Sequence, residues 1–279
     1  MRDKMVKKLL SNPLFVAGSL LALFFAALSV CGGWFTPNDP LKTDIWNVLA
    51  PPGRAYPLGT DTVGRCIFSR LVAGARITMG AAITAELLIL TTGILAGLAA
   101  GYFGGIVDAV LLTLIDILLA FPGIILALVI AGLLGAGLSN VILAFAAVYW
   151  VEPARIARSL SRSVREKEFI LSARAAGSGA FKIIRLHILP HVLPDMIIYG
   201  ALNMSSIIIG ISSMSFIGLG VKPPAPEWGA LLSEGRSYMR ENPWMILAAI
   251  CCIMLSAACF QFLGEALRDV LNPRKSHAP

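Results

Sequence analysis

The sequence predicts an all-α, polytopic membrane protein with six transmembrane helices, and three observations carry that prediction. Of its 279 residues, 57% are hydrophobic and only 14% charged, against roughly 25% charged in soluble domains. Several runs approach the roughly 20 apolar residues needed to cross a hydrocarbon core about 30 Å thick. The formal net charge of +7 is distributed between these runs, a pattern that speaks for membrane orientation rather than nucleic-acid binding.

The first span is LFVAGSLLALFFAALSVCGGWF, Leu14 to Phe35. Lysines precede it, as in a signal peptide, but the apolar run is longer than an h-region, and Trp34 and Phe35 stand where a small-residue cleavage site would be needed. It reads as a retained helix. By apolar run and length the further spans are Ile77 to Ala100, Val107 to Leu133, Asn140 to Ile156, Leu193 to Phe216 and Trp244 to Leu263. Pro122 in LLAFPGIILA should kink or end its helix.

With the N-terminus inside, 15 of the 23 basic residues fall on inner segments, among them Arg155, Arg158, Arg162, Arg165, Lys167, Arg174, Lys182 and Arg185. The positive-inside rule then places both termini in the cytoplasm. The chain divides into an N-terminal tail (1–13), one membrane domain (14–268) containing the long inner loop 155–194, and a C-terminal tail (269–279). Of the outer segments, Thr36 to Ala75 holds Pro37, Pro40, Pro51, Pro52 and Pro57, so its first half should be extended. Gly218 to Pro243 opens with GLGVKPPAPEWG, where the prolines stiffen a turn and Trp228 could anchor in the membrane interface. Neither a solenoid period nor an inverted repeat is visible. Cys31, Cys66, Cys251, Cys252 and Cys259 lack the spacing of a zinc site or disulfide framework and read as apolar packing residues.

The inner loop is unlike the spans it joins. REKEFILSARAAG reads as a short helix with Phe169, Ile170 and Ala173 on an apolar face and Gly177 as a left-handed stop. Ser178 is a candidate N-cap for a second helix carrying Phe181, Ile184 and Ile188, which Pro190 and Pro194 should end. The result is a helix-turn-helix on the cytoplasmic face. Ala173, Ala175, Ala176 and Gly177 leave room for another surface, so the loop is either a docking knob for a cytoplasmic partner or a basic loop held by anionic lipid.

LSARAAGSGAFKIIRLHILP resembles the loop by which permease subunits of bacterial ABC importers engage their ATPases, a pattern of Glu-Ala-Ala, then Gly, then Ile-x-Leu-Pro. Ala173, Gly177, Leu189 and Pro190 match; Leu171 stands at the glutamate position, Ser172 at an alanine and His187 at the isoleucine. The stretches LGTDTVGRCIFSRLVAGARI, AFPGIILALVIAGLLGAGLSN and SFIGLGVKPPAPEWGALLSEGR extend the resemblance over nearly the whole chain, to the second permease subunit of the dipeptide, oligopeptide and nickel importer family. The resemblance implies the type I ABC importer permease fold, a bacterial inner-membrane location, and ATPase coupling through Ala173, Arg174, Ala176, Gly177, His187, Leu189 and Pro190. It also implies partners: a homologous second permease, two cytoplasmic ATPases that bind the ATP and Mg, and an external solute-binding protein. The chain itself lacks G-x-x-x-x-G-K-[ST] and is expected to be no enzyme and to bind no cofactor.

Intramembrane acids are functional candidates, because such groups usually face a bundle interior or a water-filled cavity. Glu86, Asp108 and Asp116 fall in predicted spans or near their ends, and Glu86 and Asp116 either line a path for cationic cargo or pair with polar or basic groups and hold helices together. Asn203, Ser205, Ser206, Ser212 and Ser213 either wet a pore or join helices. Met204 and Met214, with the cysteines, either offer soft sulfur to a passing metal or fill the core. His187 and His191 have the i, i+4 spacing of a metal pair, but Pro190 lies between them and no third ligand is near, so no resident metal is expected. Within the family, GRC at Gly64 to Cys66 and SMSFIGLGV look most like the nickel branch. Peptide importers share most of these motifs, and an ion-coupled secondary transporter or a membrane scaffold is the alternative from another class.

Overall fold

A computed structural model describes residues 9–271 of the chain. Most of the two expected tails therefore lies outside the described residues. Helix α1 (Pro13–Phe35) begins where Asn12 accepts a hydrogen bond from the Leu14 N–H at 2.9 Å, with Pro13 in the first turn. Residues 36–66 contain one short 3-10 turn, Ile45–Asn47. Helix α2 (Ile67–Phe103) then runs unbroken for 37 residues, about 55 Å at 1.5 Å per residue. It ends at Gly104, whose φ of +67° suits glycine.

That start at Ile67 corrects the expected start at Ile77. Arg65, Arg70 and Arg76 made the preceding stretch look like outer loop, yet Arg65 and Arg70 are buried and ion-paired. The third expected span is broken at Pro122, as its sequence predicted: α3 (Gly105–Leu119) and α4 (Gly123–Leu134) meet at 88°. Helices α5 (Leu138–Tyr149) and α6 (Val151–Arg165) follow one another through Trp150, which keeps helical dihedrals, so this span continues past the expected Ile156. Among the described residues, five helices or continuous helix runs are long and apolar enough to cross a bilayer, and the bent α3–α4 pair makes a sixth when counted as one span.

Short helix α7 (Glu168–Ala175) and helix α8 (Ala180–Ile183) form the predicted helix-turn-helix. The N-cap of α8 is Gly179, with no side-chain bond, rather than Ser178. Nor do the prolines end this helix. A π-turn, Ile184–Ile188, leads directly into α9 (Leu189–Phe216), with Pro190 in the first turn of α9 and Pro194 inside it. The widened turn lies where the Pro190 ring would otherwise meet the carbonyl four residues back. The chain closes with α10 (Trp228–Gly235), a 3-10 turn Arg236–Tyr238, and α11 (Trp244–Leu271), which passes the expected ends at Leu263 and 268.

Small residues bring the helices together. Gly93, Gly97 and Gly101 sit four apart on α2 and face α6. A Cβ on Gly93 would lie 2.8 Å from the Trp150 carbonyl, one on Gly101 2.6 Å from that of Arg158, and one on Gly97 would strike that of Ala154. This is the close backbone approach that small-xxx-small spacing permits in membranes. The main core joins residues of α1, α2, α4, α5, α9, α10 and α11. A second core lies under the basic loop, where Leu98 and Tyr102 of α2 meet Ala157, Val164, Ile170, Ile183, Ile188, Val192 and Met196.

Trp228 corrects another expectation. It is fully buried rather than interfacial: its indole N–H donates to the Leu71 carbonyl at 2.9 Å and its ring meets Phe25 edge-on, with centroids 5.7 Å apart. Trp34, Trp46 and Trp244 are the exposed tryptophans near this end of the bundle among the described residues.

Candidate coupling loop and transport groove

The basic loop is seated by its apolar side chains and displays its small ones. Ile170 of α7 and Ile183 of α8 are fully buried in the second core. The turn between them is a complete glycine stop: the Gly177 N–H donates to the Arg174 carbonyl at 2.9 Å and the Ser178 N–H to the Ala173 carbonyl at 3.0 Å. Gly177 has φ +78°, and a Cβ there would meet nothing within 4 Å. Glycine is thus favoured by backbone conformation, and the space beyond it is open.

Ala175, Ala176, Gly177 and Gly179 are exposed at the tip, flanked by Leu171 at 53% and Phe181 at 76% exposure. Ala173 and Leu189 are half-buried, and Pro190 is exposed. The Arg174 guanidinium lies over the Tyr102 ring at 4.9 Å from its centroid, which ties α7 to the end of α2. His187 and His191 both lie against Phe169, the latter stacked with centroids 5.4 Å apart, and His191 Nδ1 is bonded to the His187 carbonyl at 2.7 Å. Glu168 opens α7, where a carboxylate complements the helix dipole.

The expected pathway residues are distributed over three places. Glu86 of α2 is 4% exposed; its Oε2 accepts from Asn203 of α9 at 2.8 Å, and its Oε1 has no partner among the described residues. Asp116 of α3 is exposed and reaches exposed Arg155 at 3.5 Å. Asp108 is held by Arg158. Ser212, Ser213 and Met214 line a groove of about 660 Å³, together with Ile124, Ile125 and Leu128 of α4, Ile253 and Met254 of α11, and Leu232, Arg236 and Met239. Met204 is buried in the main core, and Ser205 donates to the Ala257 carbonyl at 2.8 Å, joining α9 to α11. Neither Glu86, Asp116, Asn203 nor Met204 lines the groove.

Two buried polar arrangements at the opposite end were not legible in advance. Asp61 Oδ2 accepts from Arg65 Nε at 2.6 Å and Arg70 Nη1 at 2.5 Å, and Glu234 accepts from the same two arginines at 2.8 and 2.5 Å. Glu227 Oε2 accepts from the Ala230 N–H at 2.9 Å and Oε1 from the Thr78 hydroxyl at 3.1 Å. The stretches LGTDTVGR and PEWGALLSEG flagged these segments, but their sequence separation hid the pairing.

A helical bundle with a broken span, an apolar groove at one end and an exposed helix-turn-helix at the other is the architecture of a membrane permease. Residues 93–276 match the model described as "Binding-protein-dependent transport system inner membrane component", and residues 2–52 match the "N-terminal TM domain of oligopeptide transport permease C". The chain belongs to this family of ABC importer permeases, whose members work with ATPase and substrate-binding subunits. It is 35% identical to a nickel transport system permease protein of Escherichia coli (strain K12), over 91% of this chain and 92% of that protein. It is 36% identical to a dipeptide transport system permease protein of Alkalihalophilus pseudofirmus, over 96% and 88%. To a glutathione transport system permease protein of Pectobacterium atrosepticum it is 34% identical, over 98% and 94%. Family membership favours the ABC importer over the ion-coupled secondary transporter.

Proposed function

We propose that this permease forms half of a translocation pore for nickel, crossing as a small chelate. The observation that carries the reading is the groove. Its lining is almost wholly apolar, it includes the thioethers of Met214, Met239 and Met254, and Arg236 is its one charged side chain among the described residues. A bare divalent cation would lose its hydration there without gaining a carboxylate. A compact chelate presents apolar surface and carboxylate oxygens instead, which suit the groove wall and the Arg236 guanidinium. The similarity to a nickel permease supports the same cargo. Arg236 also favours a second reading, a dipeptide or oligopeptide with a C-terminal carboxylate.

In this reading both termini and the loop 155–194 are cytoplasmic. Two ATPases dock on Ala173, Arg174, Ala176, Gly177, His187, Leu189 and Pro190, a homologous permease completes the pore, and ATP with Mg is bound by the ATPases. ATP and the loaded binding protein drive the cycle because each binds the outward-facing state more tightly than the inward-facing one. The test is uptake of radiolabelled nickel, with and without excess mixed peptides, in cells carrying the full transporter and in a deletion of this gene alone. Nickel uptake lost on deletion and indifferent to peptides is the expected result. Unchanged nickel uptake with loss of peptide uptake would move the protein to the peptide branch.

A further inference from the structure

Helix α10 is fastened to α2 at both of its ends. At its start, the Trp228 indole donates to the Leu71 carbonyl, Glu227 accepts from Thr78, and Gly74 leaves room for the indole, with a Cβ there only 3.0 Å from Trp228 Cδ1. At its end, Glu234 joins Arg70, fully buried in the first turn of α2, and Arg65 just before it. The far side of α10 and the turn after it, through Leu232 and Arg236, line the groove. One wall of the groove is therefore mounted on α2.

The same α2 runs without a break from Arg70 to Tyr102, about 48 Å. There Tyr102 carries Arg174 of α7, and the glycine seam fixes α2 to α6, which leads into α7.

The ion cluster is poorly explained as a source of stability. Buried ion pairs are often matched or exceeded by apolar packing, whereas losing one partner leaves a charge stranded. Arg70 Nε makes no hydrogen bond among the described residues, so the cluster is not even fully satisfied. What such a cluster does supply is a defined geometry: Asp61 and Glu234 together hold two guanidinium groups in one arrangement, and that arrangement fixes the angle of α10 on α2.

We infer that Arg70 and Glu234 are positioning residues, which hold the α10 wall of the groove on α2 so that groove wall, α2 and docking helix α7 move as one body. This rests on the reading that the loop around Gly177 docks the ATPases. Breaking the cluster frees the wall and weakens the link between cargo delivery and ATP hydrolysis.

The experiment uses the complete transporter reconstituted with its binding protein, supplied with nickel chloride or a dipeptide mixture. ATP hydrolysis is measured with and without binding protein, and hydrogen exchange is followed along this chain. Glu234→Gln should keep the ATPases bound, reduce stimulation by binding protein about 5-fold or more, in the range of ordinary coupling factors, and speed exchange at 168–183 as well as at 59–78 and 228–238. Unchanged stimulation, with faster exchange confined to the cluster and α10, would overturn the inference and leave a local structural role.

Should Glu234→Gln fail to assemble, Arg65→Lys keeps the charge but cannot reach both acids with a fork. It should lower stimulation in the same way, and full stimulation would again overturn the inference. Gly177→Asp separates the underlying reading: ATPases that stay bound and stimulated in that variant would remove the docking site, whatever Glu234→Gln does.

Discussion

Arg158 of α6 grips Asp108 of α3 with two nitrogens, Nε to Oδ1 and Nη2 to Oδ2, the latter at 2.6 Å. This two-point contact ties the start of the broken span to the helix that leads into α7. Arg158→Lys should lower stability by about 1–3 kcal/mol, because an ammonium cannot reproduce the fork. Thermal unfolding of the detergent-solubilised permease measures it. No change in melting would mean that the pair is solvated and contributes little.

The glycine seam makes a sharper contrast. Gly97→Ala would drive a methyl into the Ala154 carbonyl, whereas a Cβ on exposed Gly80 of the same helix meets nothing within 4 Å. We expect Gly97→Ala to cost about 1–3 kcal/mol by forcing α2 and α6 apart. Gly80→Ala should be neutral or stabilising by up to about 1 kcal/mol through helix propensity. Equal melting temperatures for the two variants would show that the seam can yield.

Much of the fold was legible because apolar runs of membrane length leave few alternatives. The helix-turn-helix was legible for a local reason: Gly177 had to stop α7, and its φ and hydrogen bonds do so. What escaped was set by distant partners. The early start of α2 depends on acids that neutralise Arg65 and Arg70, one of them 164 positions beyond Arg70. Trp228 looked interfacial because nothing near it in sequence reveals the Leu71 carbonyl and the space above Gly74. The seam at Gly93, Gly97 and Gly101 was readable from its spacing, which was overlooked inside a long apolar run. Of the pathway candidates, only Ser212, Ser213 and Met214 reach the groove, since a helix has two faces and composition does not say which one is lined.

At the proposed docking loop, Gly177→Asp should abolish co-purification of the ATPases and cargo uptake while the permease still inserts. Gly177→Asn tolerates the same left-handed backbone without adding charge and should retain a measurable fraction of both. Pull-down from solubilised membranes, with uptake in cells, compares them. Normal ATPase recovery and undiminished uptake in the Asp variant would show that the tip is not the contact.

Glu227 lies outside the spans, and burial pushes its carboxyl above the ordinary value of 4.5, against hydrogen bonds from the Gly229 and Ala230 N–H groups and Thr78. A value raised in the folded state favours the protonated, folded form. That contribution is complete below 4.5 and is lost as pH rises through the raised value. The melting temperature should therefore fall across that window. Glu227→Gln should flatten the fall at a cost of about 1 kcal/mol for one weakened acceptor. An equally steep profile in the variant would assign the slope to another group.

The corner between α3 and α4 carries a demand that the lone chain does not meet. Helix α3 begins beside the arginines of the basic end and has 15 residues, about 22 Å, so it turns before crossing a hydrocarbon layer about 30 Å deep. Pro122 caps α4 without a side-chain bond, and Phe121 beside it is 59% exposed. In the first turn of α4 the Ile125 and Leu126 N–H groups donate to the Pro122 carbonyl at 3.0 and 3.1 Å, whereas no acceptor among the described residues meets those of Gly123 and Ile124, and acyl chains would offer them none. A protein carbonyl or water beside Ala120 to Pro122 is therefore the neighbour to expect in an assembled transporter, in place of lipid.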